Sequence, residues 1–155
     1  MLYAVLKTLH VLSIMLWIGG MAFTLFFLRP AVAALEPPVR LRLMQDVLGR
    51  FFTAVLAMVV VALVTGAWMM ADYASRAAGA GAGMPWSWSL MAALGMLMMA
   101  IFGHIRYVLF NRLRRAVASG TWTAGGAAMA DIRVWVRANL AIGLAIVVVV
   151  LIARS

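Results

Sequence analysis

The chain contains no cysteine, only four acidic residues and only two histidines among 155 residues. Without cysteine, disulfides and thiolate metal sites are both excluded. Four acids (Glu36, Asp46, Asp72 and Asp131) lie too far apart in sequence to read as a carboxylate pair, and there is no nucleophile-base pair, phosphate loop or zinc motif. Ordinary hydrolytic or transferase chemistry therefore finds no support in these residues, and the chain reads as a non-enzyme unless a bound redox group supplies the reaction. Any transition-metal or proton chemistry has to draw on His10, His104, the methionines and a few carboxylates.

What is abundant is apolar side chain: 67% of the residues are hydrophobic and only 11% charged. A helix needs roughly 20 apolar residues to cross the hydrocarbon core. Four segments meet that length, approximately 2–28, 51–71, 86–110 and 132–153. They leave little outside, so residues 1–155 read as a single transmembrane domain. The predicted fold is all-α: an integral membrane four-helix bundle running up-down-up-down, with amphipathic helix extensions at one end.

The formal net charge is +9, and its placement explains it. The loops after the first and third spans share one side and hold Arg29, Arg40, Arg42, Arg50, Arg106, Arg112, Arg114, Arg115, Arg133 and Arg137. The other side holds only Lys7, Arg76 and Arg154. Ten against three predicts a cytoplasmic arginine-rich side and places both termini in the periplasm, for a multi-pass protein of a bacterial inner membrane. The expected partner of the basic face is the lipid bilayer, and no nucleic-acid partner is expected. Lys7, the following apolar run and Ala31-Val32-Ala33 mimic a secretory signal. The run exceeds the roughly 7–15 residues of a signal core, so it reads as a retained span.

Local signals predict how the spans connect. The first helix is expected to end near Arg29-Pro30, because proline disfavours helix in the residue before it. Pro37-Pro38 suits the first turn of a new helix, which carries Leu41, Met44, Val47, Leu48 and Phe51 at helical spacing into the second span. Asp46 is placed to pair with Arg42 or Arg50. A loop is expected from Asp72 to Pro85, containing the Gly-Ala tract from Ala78 to Gly83 and bracketed by an aromatic belt of Tyr73, Trp86 and Trp88. The third helix should run on to about Ser119-Gly120, and Thr121 or Thr123 could cap the fourth.

Along the first span, Lys7, His10, Ser13, Trp17, Gly20 and Thr24 recur at steps of three and four. This polar and small stripe should face the bundle interior, opposite Leu12, Leu16, Phe23 and Phe26. An imidazole in a span is a site hypothesis by default. His10 has two readings: a ligand for a metal or a haem iron, or a histidine hydrogen-bonded to a neighbouring helix. His104, in Gly103-His104-Ile105-Arg106-Tyr107, reads either as an interfacial side chain among basic residues or as a second metal or haem contact. Helix rise puts the two near opposite faces, roughly 20 Å or more apart, which excludes one bis-histidine site within a subunit. The 13 methionines serve as packing filler or as soft ligands for Cu(I), with Met96 and Met99 among those on the third span. Asn139, with Trp135 and Gly143 one turn away, marks a second inward face.

Leu9-His10, followed after six residues by Trp17-Ile18-Gly19-Gly20, resembles the opening helix of the CopD family of copper-resistance membrane proteins. Phe102-Gly103-His104-Ile105-Arg106 and the stretch from Trp135 to Gly143 are compatible with that family's later helices, and the similarity covers essentially the whole chain. The resemblance implies copper binding, uptake or resistance, with His10 as the outer-side ligand. Larger members have about twice as many spans, and some act with a periplasmic copper-binding partner. A four-span chain would need two copies to match them, so a homodimer is an expectation. The alternative is a b-type haem protein using His10 and His104 for electron transfer or for oxidation of a membrane-soluble substrate, by analogy of fold only.

Overall fold

The computed structural model describes residues 1–78 and 83–153. It contains four long helices, Leu2–Ala31, Pro37–Ala78, Trp86–Ala118 and Trp122–Ile152, each with a stretch long and apolar enough to cross a membrane. They form the expected antiparallel all-α bundle. The first helix packs along the second and also touches the fourth, and the fourth packs along the third. The second and third helices meet chiefly at the arginine-rich end.

The first helix passes through Pro30 instead of stopping before it, and Arg29 keeps helical dihedrals. Thr24–Leu28 wind as a π turn, with the Arg29 N–H bonding the Thr24 carbonyl five residues back. The wider turn relieves the clash that a proline ring makes with the carbonyl four residues before it. Ile105–Leu109 form a second π turn in the third helix, closed by the Phe110 N–H on the Ile105 carbonyl. The expected loop from Asp72 begins later, because the second helix continues to Ala78. Arg76 bonds the Asp72 carboxylate at 2.9 Å, one turn away, and Ser75 bonds the Asp72 carbonyl, so this polar end stays helical. The centre of the Gly-Ala tract, residues 79–82, lies outside the described residues, as does Arg154. The belt residues Tyr73 and Trp88 meet with ring centroids 5.0 Å apart.

At the other end, Gly120 (φ +69°) closes the third helix. The Thr121 N–H reaches the Ala116 carbonyl and the Gly120 N–H the Val117 carbonyl, the pair of bonds of a Schellman stop. Thr121 takes the cap position of the fourth helix, but its hydroxyl meets Ser119 Oγ at 2.8 Å and caps nothing. Asp46 pairs with neither arginine. Arg42 instead lies over the Trp122 ring, 5.4 Å from its centroid, where the indole face attracts a cation at a membrane boundary.

The core is an aromatic ladder. Trp17 meets Phe102 at 5.9 Å, Phe102 meets Phe52 at 6.0 Å, and Phe52 meets Phe110 at 5.3 Å, all edge to face. Lipid is as apolar as leucine, so burial alone does not drive helices together in a membrane; fitted contacts must. Gly20 belongs to that fit, since a Cβ built there would overlap the Phe51 ring. Gly143 likewise admits Ile18 and the Met98 side chain, each within 3.2 Å of where its Cβ would stand. Asn139 is the least satisfied core group: it is 1% exposed, its amide donates weakly to Met21 Sδ at 3.7 Å, and its Oδ1 has no partner.

Two substitutions separate these contributions. Phe52→Ala breaks three ring contacts and leaves a cavity, and should destabilise the detergent-solubilised protein by about 3 kcal/mol. Asn139→Leu removes an orphaned acceptor at nearly constant volume and should leave the thermal midpoint unchanged or raised. Thermal unfolding of both variants followed by circular dichroism checks the contrast; a large loss in Asn139→Leu would show that the amide has a partner that these contacts lack.

Candidate functional site

The inward stripe of the first helix holds for His10, Ser13, Trp17, Gly20 and Thr24, while Leu12, Leu16, Phe23 and Phe26 are exposed on the opposite face. Lys7 departs from it. It is exposed, as expected of a long charged side chain that reaches for water at a helix end.

His10 is half-buried against the second helix. Its Nδ1 lies 3.0 Å from the Ala62 carbonyl oxygen and 3.0 Å from Thr65 Oγ1. These distances fix the tautomer. The Thr65 hydroxyl proton is committed to the Val61 carbonyl at 2.6 Å, and a carbonyl oxygen can only accept. Nδ1 therefore carries the hydrogen and donates. In the neutral ring Nε2 then holds the free lone pair, and no described residue bonds to it. A ligating imidazole is commonly held this way, with the far nitrogen donating to a backbone carbonyl.

Gly66 makes the approach possible. A Cβ on Gly66 would stand 3.1 Å from His10 Cε1, tighter than ordinary contact, so any larger side chain displaces the ring from Ala62. Ala62, Thr65, Gly66 and Met69 recur at helical spacing and share one face of the second helix. Met69 is buried one turn beyond the histidine contacts, toward the arginine-poor end. Thr65, Gly66 and the placement of Met69 are not among the expected site residues. The signal for them was present: Thr65-Gly66 interrupts an otherwise apolar run from Ala54 to Met70.

The other expected residues are dispersed. Met96 is 60% exposed on the outside of the bundle, and Met99 is partly buried against the core. Neither packs with the His10 cluster, because the first and third helices are not neighbours along their length. His104 makes no hydrogen bond and rests against Trp135, ring centroids 5.1 Å apart. Two contacts set the depth between the histidines. Measured through Trp17 against Phe102 it is roughly 14 Å, and through Ile18 and Met98 at Gly143 about 21 Å, at 1.5 Å per residue. The expected value of 20 Å or more lies at the upper end, and both exclude a shared ion. Among the described residues no three of His, Cys, Asp and Glu lie together. A cation at His10 would rely on imidazole nitrogen and thioether sulfur, the donor set that suits a soft ion such as Cu(I).

Comparison with curated proteins and with solved structures finds no match. The sequence profile of one family, described as Copper resistance protein D, matches residues 45–153. That stretch takes in the His10-binding face of the second helix, the third helix with His104 and the fourth helix with Asn139. The chain is a multi-pass membrane protein related to copper resistance and belongs to the CopD family.

Proposed function

We propose that this protein binds copper at His10 and handles it from the arginine-poor side of the membrane. The observation that carries the reading is the anchored imidazole: Nδ1 donating to Ala62 and Thr65, Nε2 left free. Met69 on the same face supplies the second donor, and both groups bind Cu(I) without first losing a proton, which suits a site away from bulk water. The excess of arginine at the other end supports an inner-membrane protein with periplasmic termini, so His10 would meet the ion from outside. A periplasmic copper-binding protein would then deliver it, and a homodimer would place two such sites at one depth. Met96 and Met99 have a lesser claim, as ligands on a later part of the path.

Metal analysis of the detergent-purified protein loaded with Cu(I) checks the site. His10→Ala should weaken copper binding by more than about tenfold, the scale on which even outer partners of a ligand act. Gly66→Val, which touches no donor atom, should weaken it comparably by displacing the ring. Copper content unchanged in both variants would sink the assignment. An absorption spectrum of the same sample covers the haem alternative, since a Soret band lost in His10→Ala would replace copper with haem.

Orientation has its own check, made clean by the lack of native cysteine. Ser75→Cys should react with a membrane-impermeant maleimide in intact cells after outer-membrane permeabilisation. Ser119→Cys, at the arginine-rich end, should react only once the inner membrane is opened. The reverse pattern would invert the topology and with it the direction from which copper reaches His10.

A further inference from the structure

At the arginine-rich end, the end of the first helix, the turn after it, the start of the second helix and the fourth helix line a partly open cavity of about 400 Å³. Arg29, Arg40 and Arg133 line it, all half-buried. None of the three pairs with a carboxylate; the ion pairs among the described residues are Arg76 with Asp72 and Arg112 with Asp131. The charges acting on Arg29 are those of Arg133, Arg137 and Arg40, all of the same sign. Arg40 is held in place by a bond from Nη1 to the Ala33 carbonyl at 3.3 Å. Glu36, the acid nearest in sequence, is exposed and offers Arg40 only its backbone carbonyl.

Three guanidiniums lining one cavity without a counter-charge repel one another, and a bound anion reverses the sign of that interaction. Guanidinium forks match phosphate oxygens, and basic pockets between membrane helices on this side are suited to lipid headgroups. The rest of the wall fits a lipid better than a hydrated ion. Val32, Leu41 and Met44 are buried there, and Gly126 leaves space, with nothing within 4 Å of where its Cβ would stand. We propose that this cavity binds the phosphate group of an anionic membrane lipid, with Arg29, Arg40 and Arg133 on the phosphate and the apolar wall along the start of its chains. The site is separate from the histidine site and does not depend on copper.

Native mass spectrometry of the full-length protein in detergent, titrated with phosphatidylglycerol and with phosphatidylcholine of the same chains, tests this. Phosphatidylglycerol should bind at least about tenfold tighter, because it carries the net negative charge that phosphatidylcholine lacks. Arg29→Gln with Arg133→Gln should abolish that preference. Gly126→Leu, which fills the cavity and keeps every charge, should abolish it as well. Arg114→Gln with Arg115→Gln removes equal charge from the same end outside the cavity and should leave the preference within about twofold. Equal binding of the two lipids by the unaltered protein would overturn the proposal without reference to any variant. So would an equal loss in the Arg114/Arg115 control, which would reduce the effect to net charge. Displacement of phosphatidylglycerol by millimolar inorganic phosphate would overturn the lipid in favour of a free phosphate.

Discussion

A bilayer offers a polar atom no partner except another part of the protein, and that constraint organises this bundle. Most of its polar side chains meet it locally. Thr8, Ser13, Thr24, Thr53, Thr65 and Asn111 each turn back to the carbonyl one helical turn earlier, at 2.6–2.9 Å. Such bonds satisfy the side chain and say nothing about the neighbouring helix. Between the long helices within the apolar spans, among the described residues, two side chains bond across: His10 to the second helix and Asn139 to Met21 of the first. The first is one N–H shared between two acceptors at 3.0 Å and the second a single weak bond. His10 thus defines the register of the first helix on the second, and its placement depends on a residue without a side chain. Gly66 bares the Ala62 carbonyl, whose second lone pair remains available beside the helix's own bond.

The two ends of the molecule use different physics. Toward the arginine-poor end the contacts are few and specific, and the second and third helices touch mainly through Tyr73 and Trp88. Toward the other end the helices outrun the apolar segments and the aromatic ladder ties three of them together. Two arginines there lie over rings, Arg42 on Trp122 and Arg106 on Phe110, which hold a cation at the boundary without a carboxylate. Arg29, Arg40 and Arg133 have neither a ring nor a carboxylate, and they line the cavity.

The helices, their order, the stripe of the first span apart from Lys7, and the inward face at Asn139 and Gly143 were legible in the sequence, whereas Trp135, expected on that face, is 40% exposed. Each rests on spacing within one helix, where 3.6 residues per turn decides what shares a face. What spacing cannot carry is a contact between helices. His10 meets Thr65 across 55 positions, and nothing in either segment names the other. Met96 lies away from His10 for the same reason: its residue type suits a soft ion, but the third helix turns it outward. The π turn at Thr24–Leu28 has no signature in the sequence, because proline reads as a stop while a five-residue register lets the helix absorb it. The polar end of the second span read as loop because hydropathy falls there, although Asp72 and Arg76 stand at the spacing that favours helix.

The two histidines, equivalent by composition, are separated by how each ring is held. A ligand must present its lone pair in one direction, which requires the other nitrogen to be fixed. His10 satisfies this, since its Nδ1 hydrogen is anchored twice and the Thr65 hydroxyl that accepts it is oriented in turn by Val61. His104 has a ring neighbour in Trp135 and no hydrogen bond on either nitrogen, so nothing selects its tautomer. A tilted indole restrains the plane of the imidazole but leaves the proton free to sit on either side. The chain therefore holds one imidazole whose tautomer is set by its neighbours and one that rests on a ring beside a π turn. That asymmetry arises from Thr65-Gly66, a dipeptide on the second helix, more than from either histidine.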